Sequence, residues 1–398
     1  MATDDFDDYD DAMPPSDPPV LRPLHPDKMS REELRAKYLK PGFGFWMAVL
    51  WCVLYLLVTQ IVAGIVFGIP IIGIAMIPEF QENGMEVLND PAKLNAWMAG
   101  PDGRVATLLV VAATQFFGLA FSLLLLRLRC GKSWKRKIAL TRLPFGIHGL
   151  LVLIGFPALL AVGATIEIPI EKYVPSIQQI LDALNINFKF DGSETLIPLL
   201  KHTPFLFAIF AIAIAPGICE EMFCRGFIAQ GLGGRYSTWL VVVITSFLFG
   251  CLHMDPRQGL GAGLLGLAIH GSYVATRSML VPMFIHFANN GMAVVHFNEG
   301  LAFPILTPLE ETLKGAPALF VLSSVLFFSA VCYALYQTRC KLAPVEPGMP
   351  TWEPKGVSSV ELPPPNSGTI VTHDPISTLS VGLVLAGAVI FGMVLAFA

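Results

Sequence analysis

"APGICEEMFCRGF", residues 215–227, sets two adjacent carboxylates, Glu220 and Glu221, and the guanidinium of Arg225 inside one of the most apolar parts of the chain. A membrane segment gains nothing from such residues unless they are paired or put to work. The surroundings have membrane character: of 398 residues, 54% are hydrophobic and only 14% charged, with a mean hydropathy of +0.63. A soluble domain carries roughly 25% charged residues. The apolar residues also come in blocks of about 20, the length a helix needs to cross a bilayer. The expected fold is therefore all-α and polytopic, a bundle of eight or nine transmembrane helices.

Working outward, apolar runs cover 46–67, 105–126, 147–166, 205–230, 238–253, 259–276, 281–297, 317–336 and 376–398. Lys28, Arg31, Arg35, Lys37 and Lys40 precede the first run, and Arg127, Arg129, Lys132, Lys135, Arg136, Lys137 and Arg142 follow the second. The loop 79–104 holds only Lys93 and Arg104. Basic residues favour the inner side, so the N-terminus is expected in the cytoplasm, with the protein in the plasma (inner) membrane.

The start, "MATDDFDDYDDAMPPSDPP", lacks the apolar core of a signal peptide. It reads as a disordered acidic and Pro-rich tail over 1–40. Residues 41–200 would hold the N-terminal spans and loops, and 299–342 the eighth span. The segment 343–375 reads as a Pro-rich flexible linker and 376–398 as a C-terminal anchor helix. A polar exterior loop, 171–201, is expected to carry a short amphipathic helix near 177–184. The seven cysteines lack disulfide or zinc-finger spacing and read mostly as small buried hydrophobes.

Ionisable residues inside spans gather in one third of the chain: Glu220, Glu221, Arg225, His253, His270, His286 and His296. Each costs about 2.5–3.5 kcal/mol on insertion scales, which points to function. Glu221 and Arg225 are four apart on one helix face and are expected to form a structural ion pair. Glu220 points about 100° away and is the free carboxylate of the doublet. A protonated glutamate bonded to a neighbouring helix is the bland alternative. His253 closes the fifth run in "FLFGCLHMD", four residues after Phe249; His286 and Asn290 stack one turn apart in "FIHFANN". A single intramembrane histidine is more often an interhelical hydrogen-bonder than a catalyst, but four such groups on three neighbouring spans form a constellation. At ~1.5 Å per residue, Glu220 and Asn290 lie about 15 and 14 Å in from the inner turns, His286 about 8 Å. His253 comes out at about 23 Å, which requires a tilted or broken span.

In that order, Glu220-Glu221-x-x-x-Arg225, Phe249-x-x-x-His253 and His286-x-x-x-Asn290 resemble the three motifs of the CPBP family. That family takes in CAAX prenyl proteases and bacteriocin-processing proteins and is also called the Abi family. The resemblance covers roughly 200–297 and implies a CAAX-protease-like catalytic core over 201–298. It implies an intramembrane peptidase acting on membrane-associated proteins or peptides. Glu220 and His253 would activate a water, and His286 and Asn290 would donate to the oxyanion. Glu221, Arg225 and Phe249 would support them.

The chemistry asks for these types on its own account. Hydrolysis needs a proton acceptor beside water and donors aimed at the developing oxyanion. Glu220, His253 and His286 also make a two-His, one-carboxylate set of the kind that holds catalytic zinc. A divalent metal such as zinc therefore stays open as a cofactor, although no H-E-x-x-H is present and Asn290 suits an oxyanion better than a metal. Two other functions compete: a transporter using the polar cluster as an ion site, and an inactive scaffold or immunity protein. Expected partners are the lipid bilayer and a membrane-associated substrate; nothing points to nucleic acid.

Overall fold

The computed structural model describes residues 42–84, 89–186, 199–298, 307–354 and 359–397. The tail expected over 1–40 lies outside the described residues. Ten helices carry the architecture: α1 (Phe45–Ala75), α2 (Pro101–Cys130), α3 (Gly146–Tyr173), α4 (Ile177–Ala183), α5 (Phe205–Gly233), α6 (Thr238–Cys251), α7 (Pro256–Thr276), α8 (Leu280–Phe297), α9 (Pro317–Gln337) and α10 (Thr378–Phe397). Further helices, among them Pro91–Ala99 and Thr307–Gly315, fill some of the connections.

Six of these runs, α1, α2, α3, α5, α9 and α10, are long and apolar enough to cross a membrane, so the chain is an integral membrane protein. All nine expected spans are helical, but three fall short of that standard. Helix α6 is apolar but has only 14 residues. Helices α7 and α8 have the length but carry His270, and His286, Asn289 and Asn290, which dilute their apolar character. The shortfall falls on helices that supply the histidines and asparagines of the polar cluster, whereas α5, which carries Glu220, Glu221 and Arg225, meets the standard. Burial against neighbouring helices, rather than contact with lipid, makes those residues tolerable.

Close backbone approach sets how these helices meet. A Cβ on Gly217 of α5 would stand 3.0 Å from the Phe287 amide nitrogen of α8. One on Gly250 of α6 would come within 2.4 Å of the Gly259 carbonyl oxygen of α7. Only glycine lets these pairs pack so tightly. A second apolar cluster, including Leu151, Phe320, Phe327, Val331 and Phe391, joins α3, α9 and α10.

The basic loops share one end of the bundle. The Phe43 amide donates to the Gly231 carbonyl (2.9 Å), and Gln230 Nε2 to the Lys137 carbonyl (3.1 Å). Arg142 Nη1 donates to the Thr276 carbonyl (2.7 Å), and the Met279 amide to the Ala139 carbonyl (3.2 Å). These bonds tie the entry to α1, the loop after α2 and the α5–α6 and α7–α8 turns together.

The fold departs from an all-helical bundle at the expected flexible linker. Its ends pair as antiparallel strands β1 (Cys340–Pro344) and β2 (Thr369–His373), with Cys340 opposite His373. The excursion between them returns to the basic loop: Arg136 Nη2 meets Glu361 Oε1 at 2.9 Å, while Val360 and Leu362 are buried. Pro363, Pro364 and Pro365 lie outside the ladder, where their missing N–H groups break no strand pairing. The linker expectation rested on proline content, but only Pro344, at the end of β1, falls within the ladder, and the other prolines of 343–375 lie outside it.

On the opposite side, α4 forms where a short amphipathic helix was expected, started by a capping box between Ser176 and Gln179. The remainder of that expected loop, 187–198, lies outside the described residues.

Candidate active site

Helix α5 positions the carboxylate doublet on irregular backbone. It is α-helical over Ala215–Glu221 and widens to π-type hydrogen bonding on both sides, over Ile209–Ile214 and Met222–Ile228. Pro216 contributes to the irregularity, because its ring nitrogen cannot donate to the Ile212 carbonyl four residues back. Such wide turns recur at functional sites.

The two carboxylates have different surroundings. Glu221 and Arg225 are fully buried and pair at 2.7 Å between Oε1 and Nη1, as their spacing anticipates. Arg225 also donates from Nη2 to the Gly266 carbonyl of α7 (3.3 Å), and its Cζ sits 4.5 Å from the centroid of the Phe249 ring. Phe249 thus holds the cation from α6 and makes edge contacts with both His253 and His286, at 5.1 and 5.5 Å between centroids. His286 Nδ1 donates to the same Glu221 oxygen at 2.9 Å. Glu221 is therefore shared between a guanidinium and an imidazole, more than the intrahelical pair expected of it.

Glu220 keeps 19% of its side chain accessible. Its Oε1 accepts from Gln115 Nε2 of α2 at 3.1 Å, and its Oε2 lies 4.0 Å from His286 Nε2. His253 does not sit on a helix. Helix α6 ends at Cys251, and the chain turns through His253 and Met254, the latter at φ +58°, before Asp255 starts α7. His253 therefore lies in the turn between α6 and α7. His253 Nδ1 donates to the Phe249 carbonyl at 3.0 Å, which leaves Nε2 as the ring acceptor. Asp255 fixes the turn by accepting from the amides of Arg257, Gln258 and Ile177, and Arg257 Nε donates to the Val174 carbonyl (2.7 Å).

Glu220 and His253 line one cavity of about 70 Å³. Its other walls are Tyr55, Leu56, Thr59 and Gln60 of α1, Thr114 and Gln115 of α2, and Leu252. A water needs roughly 10–15 Å³ of such space and two to four polar partners, so this cavity suits several waters. His286 reaches it only through Glu220. Asn290 is not part of its lining: Nδ2 donates to the Ile212 carbonyl (3.1 Å), the one Pro216 leaves without its α-helical donor, and Oδ1 accepts from Asn289 (3.3 Å). His270 and His296, noted among the intramembrane ionisable residues, also lie outside the lining.

The three candidate metal ligands do not converge. Among the described residues, no group of three or more His, Cys, Asp or Glu side chains is placed to hold a metal ion. His286 stands off because its Nδ1 is tied to Glu221. The donor set of Glu220, His253 and His286 thus does not fit zinc in this arrangement, and the metalloprotease reading is corrected accordingly.

The sequence reading also missed the polar wall. Thr59-Gln60 and Thr114-Gln115 are two Thr-Gln pairs, each interrupting a long apolar run. Asking which uncharged polar residues break the spans would have found them.

Residues 202–292, under a quarter of the chain, match the family model described as type II CAAX prenyl endopeptidase Rce1-like. The CPBP-family resemblance carried by the three motifs is thereby shown over that segment, and the family is one of hydrolases that cut proteins. No curated protein and no solved structure matches the chain.

Proposed function

We propose that this protein is an intramembrane endopeptidase that hydrolyses peptide bonds of membrane-associated proteins or peptides with a water activated by Glu220 and His253. The observation that carries the reading is the shared polar cavity, large enough for water, between a partly accessible carboxylate and an imidazole whose Nδ1 is already engaged. A water there has two acceptors for its two hydrogens, Glu220 and His253 Nε2, which turns an oxygen lone pair toward an incoming carbonyl. Glu220 takes the proton as the C–O bond forms. The second N–H of Asn290 donates to the tetrahedral oxyanion, and His286 joins it from Nε2 in the form that carries both ring protons, its Nδ1–H staying on Glu221. Glu220 then delivers its proton to the leaving nitrogen as the C–N bond breaks. Hydrogen bonds of this kind tighten when substrate binds, and the 4.0 Å separation of His286 from Glu220 leaves room for that. Glu221, Arg225 and Phe249 hold the assembly from behind.

The full bundle in this reading has eight or nine spans, with α6 to α8 packed among the longer helices and α6 keeping Trp239 and Phe247 exposed. The end bearing the basic loops faces the cytoplasm of a plasma (inner) membrane. The family description makes a prenylated peptide ending in a CaaX sequence the first substrate to try. The test is cleavage of quenched fluorescent peptides, prenylated and unprenylated, by purified protein in proteoliposomes. Wild type should cut at least one and Glu220→Gln none. Equal cleavage by Glu220→Gln, or uptake of an ion or solute without cleavage, would overturn the reading.

A further inference from the structure

Helix α2 lies outside the matched segment, yet one of its side chains touches the centre of the site. Gln115 interrupts the apolar run 105–126 and spends its Nε2 donor on Glu220 Oε1 at 3.1 Å. A carboxylate has two oxygens and rotates readily about its last bond. Tying Oε1 to α2 stops that rotation and leaves Oε2 on the side of His286 Nε2, 4.0 Å away. That distance is too long for a direct hydrogen bond, so Oε2 keeps its lone pairs for a proton from water. The second amide atom, Gln115 Oε1, is buried and finds no partner among the described residues. An amide serving only to join two helices would be expected to satisfy both its ends; this one satisfies the end that meets the carboxylate.

We propose that Gln115 is a positioning residue for the hydrolytic reaction, fixing Glu220 so that Oε2 is the oxygen that takes the proton. The inference rests on the peptidase reading. Gln115→Met keeps the length of the side chain and removes the donor. Losing a hydrogen bond to a charged group is expected to lower kcat roughly ten- to hundredfold, with KM unchanged and only a small loss of thermal stability, no larger than that of Glu220→Gln. Gln115→Glu sets a second carboxyl against Glu220, and the two must then share a proton. The acid limb of its kcat/KM profile should move to higher pH. Wild-type kcat in Gln115→Met overturns the proposal, as does a fall in kcat that merely follows a loss of stability. Should Gln115→Met fail to fold, an unshifted acid limb in Gln115→Glu overturns it instead. Glu220→Gln is measured alongside: if that variant still cuts, the peptidase reading fails, and the fault does not lie with Gln115.

Discussion

Exchanging each of the two adjacent carboxylates for its amide separates what they do. Glu221 is fully buried, 2.7 Å from Arg225 and 2.9 Å from His286. Glu221→Gln keeps the shape but removes the only carboxylate within 4 Å of the buried guanidinium among the described residues. Removing one partner of a buried pair typically destabilises by about 3–5 kcal/mol, because the other charge is left uncompensated. Glu220→Gln, in contrast, touches a side chain that is 19% accessible and weakens one hydrogen bond, from Gln115. Its stability cost is expected at about 1 kcal/mol, while cleavage is abolished. Reversible unfolding in mixed detergent micelles measures both costs. The double variant Glu221→Gln/Arg225→Met removes both charges and should recover most of the loss, since an uncharged pair of similar volume leaves nothing to neutralise. A Glu221→Gln protein as stable as wild type would refute the argument, as would a double variant no better than the single one.

Asn290→Ala should lower kcat by about 10²–10³ through the lost oxyanion donor, whereas Asn289→Ala, which leaves the Asn290 amide in place, should cost less than tenfold; steady-state kinetics on the same peptide decides. Exhaustive dialysis against chelators should leave cleavage intact, and loss of activity restored by zinc would contradict the metal-free reading. Cys340 is buried in β1, and its thiol is pushed above its ordinary value, chiefly by burial and against the opposing charges of Arg142 and Arg277. Alkylation at pH 8 should therefore be slow, because little thiolate is present below a raised value, and should quicken as the pH is raised; mass spectrometry of the labelled protein reads the rate.

What could be read in advance was whatever obeys local spacing. Glu221 and Arg225 pair because residues four apart share a helix face, and the apolar runs locate the helices, although α1 and α3 continue to Ala75 and Tyr173, well past the expected ends at 67 and 166. The Glu220–Gln115 bond was invisible, because it joins residues 105 positions apart and a lone glutamine in a span carries no period. His253 appeared to end a helix, but the chain leaves α6 two residues earlier. The Pro-rich segment was misjudged because composition reports what cannot be helix without saying which of its residues will find partners, as Cys340 and His373 do across the hairpin. Asn290 was expected to point at the same place as His286. One of its two amide hydrogens answers a carbonyl on α5 that Pro216 leaves without its α-helical donor, a need visible only once α5 and α8 are side by side.

Helix α6 has 14 residues. At ~1.5 Å per residue that is about 21 Å, against a hydrocarbon thickness of about 30 Å. In the proposed bundle, lipid beside it would compress or tilt its chains to meet the shorter wall, and such mismatch costs fractions of a kcal/mol per Å. The dent brings headgroups and water down toward the turn that bears His253. Bilayer thickness thereby becomes a control on the protein: short-chain phospholipids should ease solvent entry, and thick, sterol-rich sheets should starve it.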